Sequence, residues 1–152
     1  MKLSPNFTLE ELTRTSTGLE NIPGPVELAR LQALAHGLLE PVRAILGVPL
    51  RITSAYRSPG VNLAVRGSSS SAHLTGDAVD LVPVGIPVES AMRAIYEAHR
   101  AGQLPTLDQA IVYPSGNFLH LGHPRGAAKA RGDLLRSAAP SGSGGPYSTW
   151  RP

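Results

Sequence analysis

The chain has no cysteine among its 152 residues. That excludes a disulfide framework, a thiolate metal site and a cysteine nucleophile, so any bound metal must be held by His, Asp or Glu. Aromatic residues are scarce at 5%. With neither a recognition motif nor an aromatic stacking platform, nucleic acid drops out as a partner. Apolar residues make up 41%, yet no apolar run is long enough to cross a bilayer. The N-terminal MKLSPNFTLEEL also lacks the unbroken apolar core of a signal peptide. The expectation is a chain with no membrane partner and no signal peptide, made in a cytoplasm. Neither sign of charge dominates: 14 Lys and Arg face 11 Asp and Glu, for a formal net charge of +3 and a pI near 9.7. This balance favours anionic partners such as bacterial wall polymer, but the basic residues are scattered and form no block.

What is present points to one small α+β domain. Gly 16 and Pro 14 imply many turns around modest regular structure. In FTLEEL, Thr8 and Glu11 have capping-box spacing, so a short helix starts near residue 9. Val26, Leu31, Leu34, Leu38, Val42 and Ile45 recur at helical spacing between Pro25 and Gly47 and predict the main core helix. Pro41 lies inside that pattern and predicts a kink or break near Glu40. LRITSA alternates and is β-branched as strands are, and AVDLVP reads as a second strand, with a loop between them that holds at most one helical turn. IPVESAMRAIYEAHRAG predicts a second amphipathic helix with Val88, Met92 and Ile95 inward and Gly102 as its stop. LDQAIVY, the turn PSG and NFLHL predict a hairpin. From residue 137 the composition is that of a flexible tail, in which Tyr147 and Trp150 are the residues able to dock.

The chemistry concentrates in SSSSAHLTGDAVDL. His73 and Asp80 sit seven apart across a glycine, one at the end of a loop and the other in the following strand, a placement that lets both face one metal. A catalytic zinc typically takes three protein ligands and keeps a position for water. His120 and His123 are both candidates for the third. His36 and His99 lie on helices with no partner at ligand spacing.

These residues belong to three motifs, ITSAYRSPGVN, SSAHLTGDAVDL and LDQAIVYPSGNFLHLG, preceded by NFTLEEL and LLEPVRAILGVPL. Over residues 4 to 122 the chain resembles the M15-type zinc D-alanyl-D-alanine peptidases, which share a fold with the signalling domain of hedgehog proteins. The resemblance implies a small antiparallel sheet with helices packed on it, in a zinc peptidase-like domain over residues 1–136 followed by the tail 137–152. It further implies one Zn²⁺ held by His73, Asp80 and His120, with Arg57 facing the substrate. Two neutral imidazoles and one carboxylate leave the site net positive, which suits activation of water and polarisation of a carbonyl. Arg57 can give two parallel hydrogen bonds to a carboxylate or an oxyanion. Ser54 and Ser71 are further substrate-binding candidates. His123 follows Gly122 as a loop residue with a candidate acid–base role.

Members of this family that carry an acidic general base place it three residues before the last ligand, and here that position is Asn117. An amide accepts no proton near neutral pH, so Asn117 is a candidate for substrate contact alone. The proton acceptor must then be sought among His123, Asp77 and Asp108. Two functions follow. One is a zinc peptidase that cuts peptidoglycan stem peptides near D-amino acids as a carboxypeptidase or endopeptidase, monomeric and phage-encoded or virion-associated. The other is a non-catalytic zinc-containing module that binds the wall or builds the phage particle.

Overall fold

The computed structural model describes residues 1–141 and 145–152. Helix α1, Leu9–Leu12, starts with the expected reciprocal cap: Thr8 Oγ1 accepts from the Glu11 amide, and Glu11 accepts from the Thr8 amide at 2.9 Å. Helix α2, Pro25–Leu34, runs through a π-type turn, Ala35–Leu39, into α3, Glu40–Leu46, which stops at left-handed Gly47. The turn lies where Pro41 predicts a break. Proline has no amide to give the Gly37 carbonyl four residues back, and the Thr106 hydroxyl donates to that carbonyl instead, at 2.6 Å. Leu31, Leu34, Leu38 and Val42 along this rod are fully buried, whereas Val26 is 61% exposed. The apolar stripe therefore starts a turn later than the sequence pattern predicts.

Strand β1, Leu50–Ser54, is followed by α4, Pro59–Ala64, the 3₁₀ turn Ala72–Thr75, β2, Ala78–Pro83, and α5, Val88–Arg100. The expected hairpin comes next as β3, Gln109–Tyr113, and β4, Phe118–Gly122. Two further strands, β5, Asp133–Ser137, and β6, Tyr147–Thr149, complete one six-stranded sheet in the order β1-β2-β4-β3-β5-β6. All neighbours are antiparallel except β3 and β5, which run parallel.

The C-terminal segment departs from the flexible tail that its composition predicts. Residues 142–144 lie outside the described residues, but beyond them Tyr147, Ser148 and Thr149 pair with Ser137, Arg136 and Leu135. Trp150 is buried, its amide donates to Leu134 O at 2.9 Å, and its ring lies 5.2 Å from that of Tyr96. One large aromatic side chain buried in the core contributes about 2–3 kcal/mol and sets the neighbouring residues against the sheet edge.

Register divides the sheet into two faces. Val79, Leu121, Ala110 and Leu134 are cross-strand neighbours, as are Leu81, Leu119 and Val112, and all seven belong to the core or pack on it. That face is covered by α5 and the α2–α3 rod, with Met92 and Ile95 of α5 fully buried. The alternate residues, Asp80, His120 and Ile111, form a row on the opposite face. A strand's period of two thus sends the chemistry of AVDLVP and NFLHL away from the core. Among the described residues no helix is long and apolar enough to cross a membrane.

Candidate metal centre

Asp80 and His120 are directly opposed on β2 and β4, so their side chains stand side by side on the open face. His120 Nδ1 donates to Asp80 Oδ1 at 2.8 Å. His73 comes from the 3₁₀ turn, which Ser71 caps by accepting the His73 amide at 3.2 Å. Gly76 ends the turn at φ +79°, and a Cβ there would meet Glu27 O of α2 at 2.9 Å. A residue with a side chain would push the turn off the helix and carry His73 with it.

The His73 ring has a fixed tautomer. Its Nδ1 lies 2.7 Å from Ala55 O; a carbonyl only accepts, so Nδ1 carries the proton and Nε2 presents a lone pair. Nε2 sits 3.4 Å from Asp80 Oδ2, close to the ligand–ligand edge of about 3.3 Å set by metal–ligand bonds of about 2.0–2.1 Å in a tetrahedral zinc site. One ligand atom from each of His73, Asp80 and His120 lies within 4.8 Å of the other two. Two nitrogens, one carboxylate oxygen and an open side toward solvent fit zinc in both chemistry and spacing.

Electrostatics favour the ligating forms. Burial pushes the His73 imidazole below its ordinary value, against the pull of Asp80, and keeps it neutral. Burial also pushes the Asp80 carboxyl up, but its polar neighbours, the His120 hydrogen bond among them, outweigh it and hold the acid well below the usual carboxylate range. Arg57 adds a cation to the same carboxylate, with a terminal guanidinium nitrogen 3.4 Å from Asp80 Oδ2. Its Nε donates to Ser54 Oγ at 3.1 Å, and its main-chain amide donates to His73 O at 3.0 Å.

Above this group opens a cleft of about 250 Å³, lined by Arg57, Ser71, His73, Asp80, His120, Asp108, Ile111 and Tyr113 among others. Ser54 is not a lining residue; it orients Arg57. The Ser71 hydroxyl is engaged as a cap. Asn117 lies in the β3–β4 turn, exposed, at φ +54°, and is not among the residues of the cleft. Asparagine is one of the few residues besides glycine that tolerates a left-handed backbone, so the turn itself accounts for an asparagine at this position.

The candidate proton acceptors separate clearly. Asp77 is buried outside the cleft, bonded to Arg30 at 2.8 Å and to Thr75 at 2.6 Å. His123 lies at the cleft's edge, but its Nδ1 faces Pro124 O at 3.1 Å and its Nε2 is directed at Gly37 on the π-type turn. Asp108 does line the cleft. Arg131 grips it with both side-chain and main-chain donors, the shortest at 2.7 Å, and these bonds hold its carboxyl below the usual range.

Among the cleft residues that escape sequence reasoning are Tyr113, Arg131 and Tyr147. A tyrosine ending the apolar run QAIVY looks like core, and the other two come from segments whose composition suggests loop and tail. Burial and a 3.4 Å contact with the Tyr147 hydroxyl push the Tyr113 phenol up, so it stays a neutral donor.

Comparison with curated proteins finds no match. The profile of the family described as peptidase M15 matches residues 5–122, which takes in the turn, both ligand strands and Arg57. Those 118 residues are more than half of the chain, and they carry the whole candidate ligand set, so the protein belongs to the peptidase M15 family of zinc metallopeptidases.

Proposed function

We propose that the protein is a zinc-dependent hydrolase of peptidoglycan stem peptides. It cuts beside a D-amino acid as a carboxypeptidase or endopeptidase and acts at the bacterial wall as a monomeric phage lysin or virion-associated enzyme. The observation that carries this proposal is the convergence of His73, Asp80 and His120 on the floor of an open cleft, beside the partly buried Arg57. Zinc bound by these three would supply Lewis acidity to a peptide carbonyl and a water acidic enough to attack near neutral pH.

The chain's own residues do the rest. Arg57, braced by Ser54 and by the His73 carbonyl, presents donors to a terminal carboxylate or to the oxyanion that develops on attack. Asp108 is, among the described residues, the one carboxylate of the cleft besides Asp80. It is our candidate to take the proton of the attacking water at Oδ2. Arg131, 61% exposed, is free to swing into solvent and so return Asp108 toward an ordinary basicity. The excess of basic over acidic side chains suits an anionic wall.

The grip of Arg131 on Asp108 also supports a second function, a zinc-containing module that binds the wall without cutting it. Purified, zinc-loaded protein incubated with peptidoglycan of several chemotypes separates the two. Hydrolysis predicts released peptides by mass spectrometry, abolished by Asp80→Ala and reduced roughly 10²-fold or more by Asp108→Asn. Sedimentation with walls and no released peptide would replace the hydrolase with the binding module.

A further inference from the structure

We infer that Tyr147, carried to the cleft by the C-terminal strand, contacts the substrate and works as one unit with Tyr113, selecting the peptide through one of its oxygen acceptors. The inference rests on the proposed function only for where the peptide lies. Residues 147–149 fall beyond the family-matched segment 5–122, so nothing in the family assignment gives β6 a role.

Three observations carry it. The first is placement. Ser137 pairs with Tyr147, and Val112 pairs with Arg136; the next step along those parallel strands sets Tyr113, Ser137 and Tyr147 in one row on the open face, adjacent to the row that holds Asp80 and His120. Both tyrosines line the same cleft as the ligand set.

The second is how each ring is held. Tyr113 is 1% exposed and stacks on Phe118, with ring centroids 4.4 Å apart and planes 7° from parallel. Its hydroxyl therefore has a fixed position. Tyr147 is 45% exposed, although its strand is tied down by Trp150 in the core and by pairing with β5, whose Arg136 forms an ion pair with Glu89 of α5. The packing that holds the strand comes from its neighbours, and the Tyr147 ring is left to the cleft.

The third is hydrogen-bond arithmetic. The two hydroxyls lie 3.4 Å apart, and each phenol has one O–H to give. Bonding to each other uses one of the two donors and leaves the other for a ligand. With the Arg57 guanidinium as a further donor lining the cleft, the ligand that fits is rich in acceptors and extended enough to reach both, as a peptide is through its carbonyls and terminal carboxylate.

The test uses the full chain, zinc-loaded, with Tyr147→Phe, Tyr113→Phe and the double variant. Phenylalanine keeps the rings and so preserves the packing of β6, which thermal melting verifies. The probe is a synthetic stem pentapeptide, and both its equilibrium Kd by calorimetry and its KM and kcat are measured, together with zinc content. We expect each single variant to raise Kd and KM by roughly three- to tenfold, with kcat and zinc content near wild type. The double variant should be no worse than the worse single, because the pair donates one bond as a unit. Wild-type Kd and KM in Tyr147→Phe would overturn the inference, as would single effects that multiply. If the wild type binds the pentapeptide without cutting it, a weaker Kd in Tyr147→Phe still supports the tyrosine pair while the hydrolase falls. No binding by the wild type would overturn both.

Discussion

Asn21 holds the segment that carries Arg57 from both flanks. Its amide donates to Tyr56 O at 2.9 Å and to Thr13 O at 2.8 Å, and its carbonyl accepts from Ser58 N at 2.7 Å. Asn21→Ala leaves three main-chain groups unpaired, so we expect a stability loss of about 1–3 kcal/mol in urea denaturation. A fall in kcat/KM should accompany it as Arg57 loses its frame, and unchanged stability would refute this role. Glu40 does similar work at the N-terminus, accepting from Ser4 Oγ, Asn6 N and Asn6 Nδ2. Burial pushes its carboxyl up, but those bonds outweigh it and leave it below the ordinary value. A folded pKa below the unfolded one, about 4.3 for a glutamate, means this stabilisation is complete above the unfolded value and is lost as pH falls through the folded one. Glu40→Gln should therefore lower the melting temperature near neutrality and melt with a shallower acid dependence than wild type. Equal acid slopes would rule it out. Neither role is legible in the sequence, because the groups that Asn21 and Glu40 bond lie 8 to 37 residues away. His73 and Asp80 stand out in the sequence as a pair seven apart across a glycine, one ending a loop and one in the strand that follows, whereas Arg57 is singled out through the family resemblance.

The rod formed by α2, the π-type turn and α3 shows how one proline is accommodated within an element. Pro41 leaves the Gly37 carbonyl without an amide, and Thr106 restores the bond from outside the helix. Thr106→Val removes that donor at nearly constant volume and should cost about 1–2 kcal/mol, read as a lower urea midpoint at unchanged slope. In a Pro41→Ala background an amide is again available, so the same substitution should cost measurably less; an equal cost in both backgrounds would show that Thr106 does not serve the proline. The break itself is visible in sequence, because proline's missing donor is a local property. The third-party hydroxyl is not, since Thr106 lies 69 residues from Gly37. The same distinction explains the strands. β1 alternates, and β2 to β4 are apolar enough between their turn residues to be read directly, with Asp80 and His120 facing away from the core. β6 has only three residues, and the segment between it and β5 is rich in Gly, Ser and Pro. What holds β6 is Trp150 in the core and the open edge of β5, and neither is a property of YST. A residue such as Tyr147 becomes part of the cleft only once that edge exists.

At the scale of the whole molecule the candidate ligands come from three segments that meet only in the folded state. Asp80 and His120 are 40 residues apart and are brought together by strand pairing, while His73 arrives on a turn latched to Ala55 and packed against α2. An unfolded chain offers a metal no such constellation, so zinc binds the native state in preference and stabilises it by mass action. At a free zinc concentration about 100 times Kd the gain is about 2.7 kcal/mol. For a domain of this size that corresponds to a rise in melting temperature of roughly 5–10 °C. We expect that rise on adding zinc to chelator-treated protein and its reversal on adding chelator again. Asp80→Asn keeps the shape of the side chain but gives up the anionic ligand, so its melting temperature should barely respond to zinc. The fold already prepares both ligands: burial keeps His73 neutral, and the hydrogen bond from His120 helps to hold Asp80 ionised, so little of the binding energy is consumed in changing protonation at those two ligands. A melting temperature indifferent to zinc in the wild type would mean that His73, Asp80 and His120 are held together by their hydrogen bonds alone, and the metal centre would have to be abandoned along with the chemistry assigned to it.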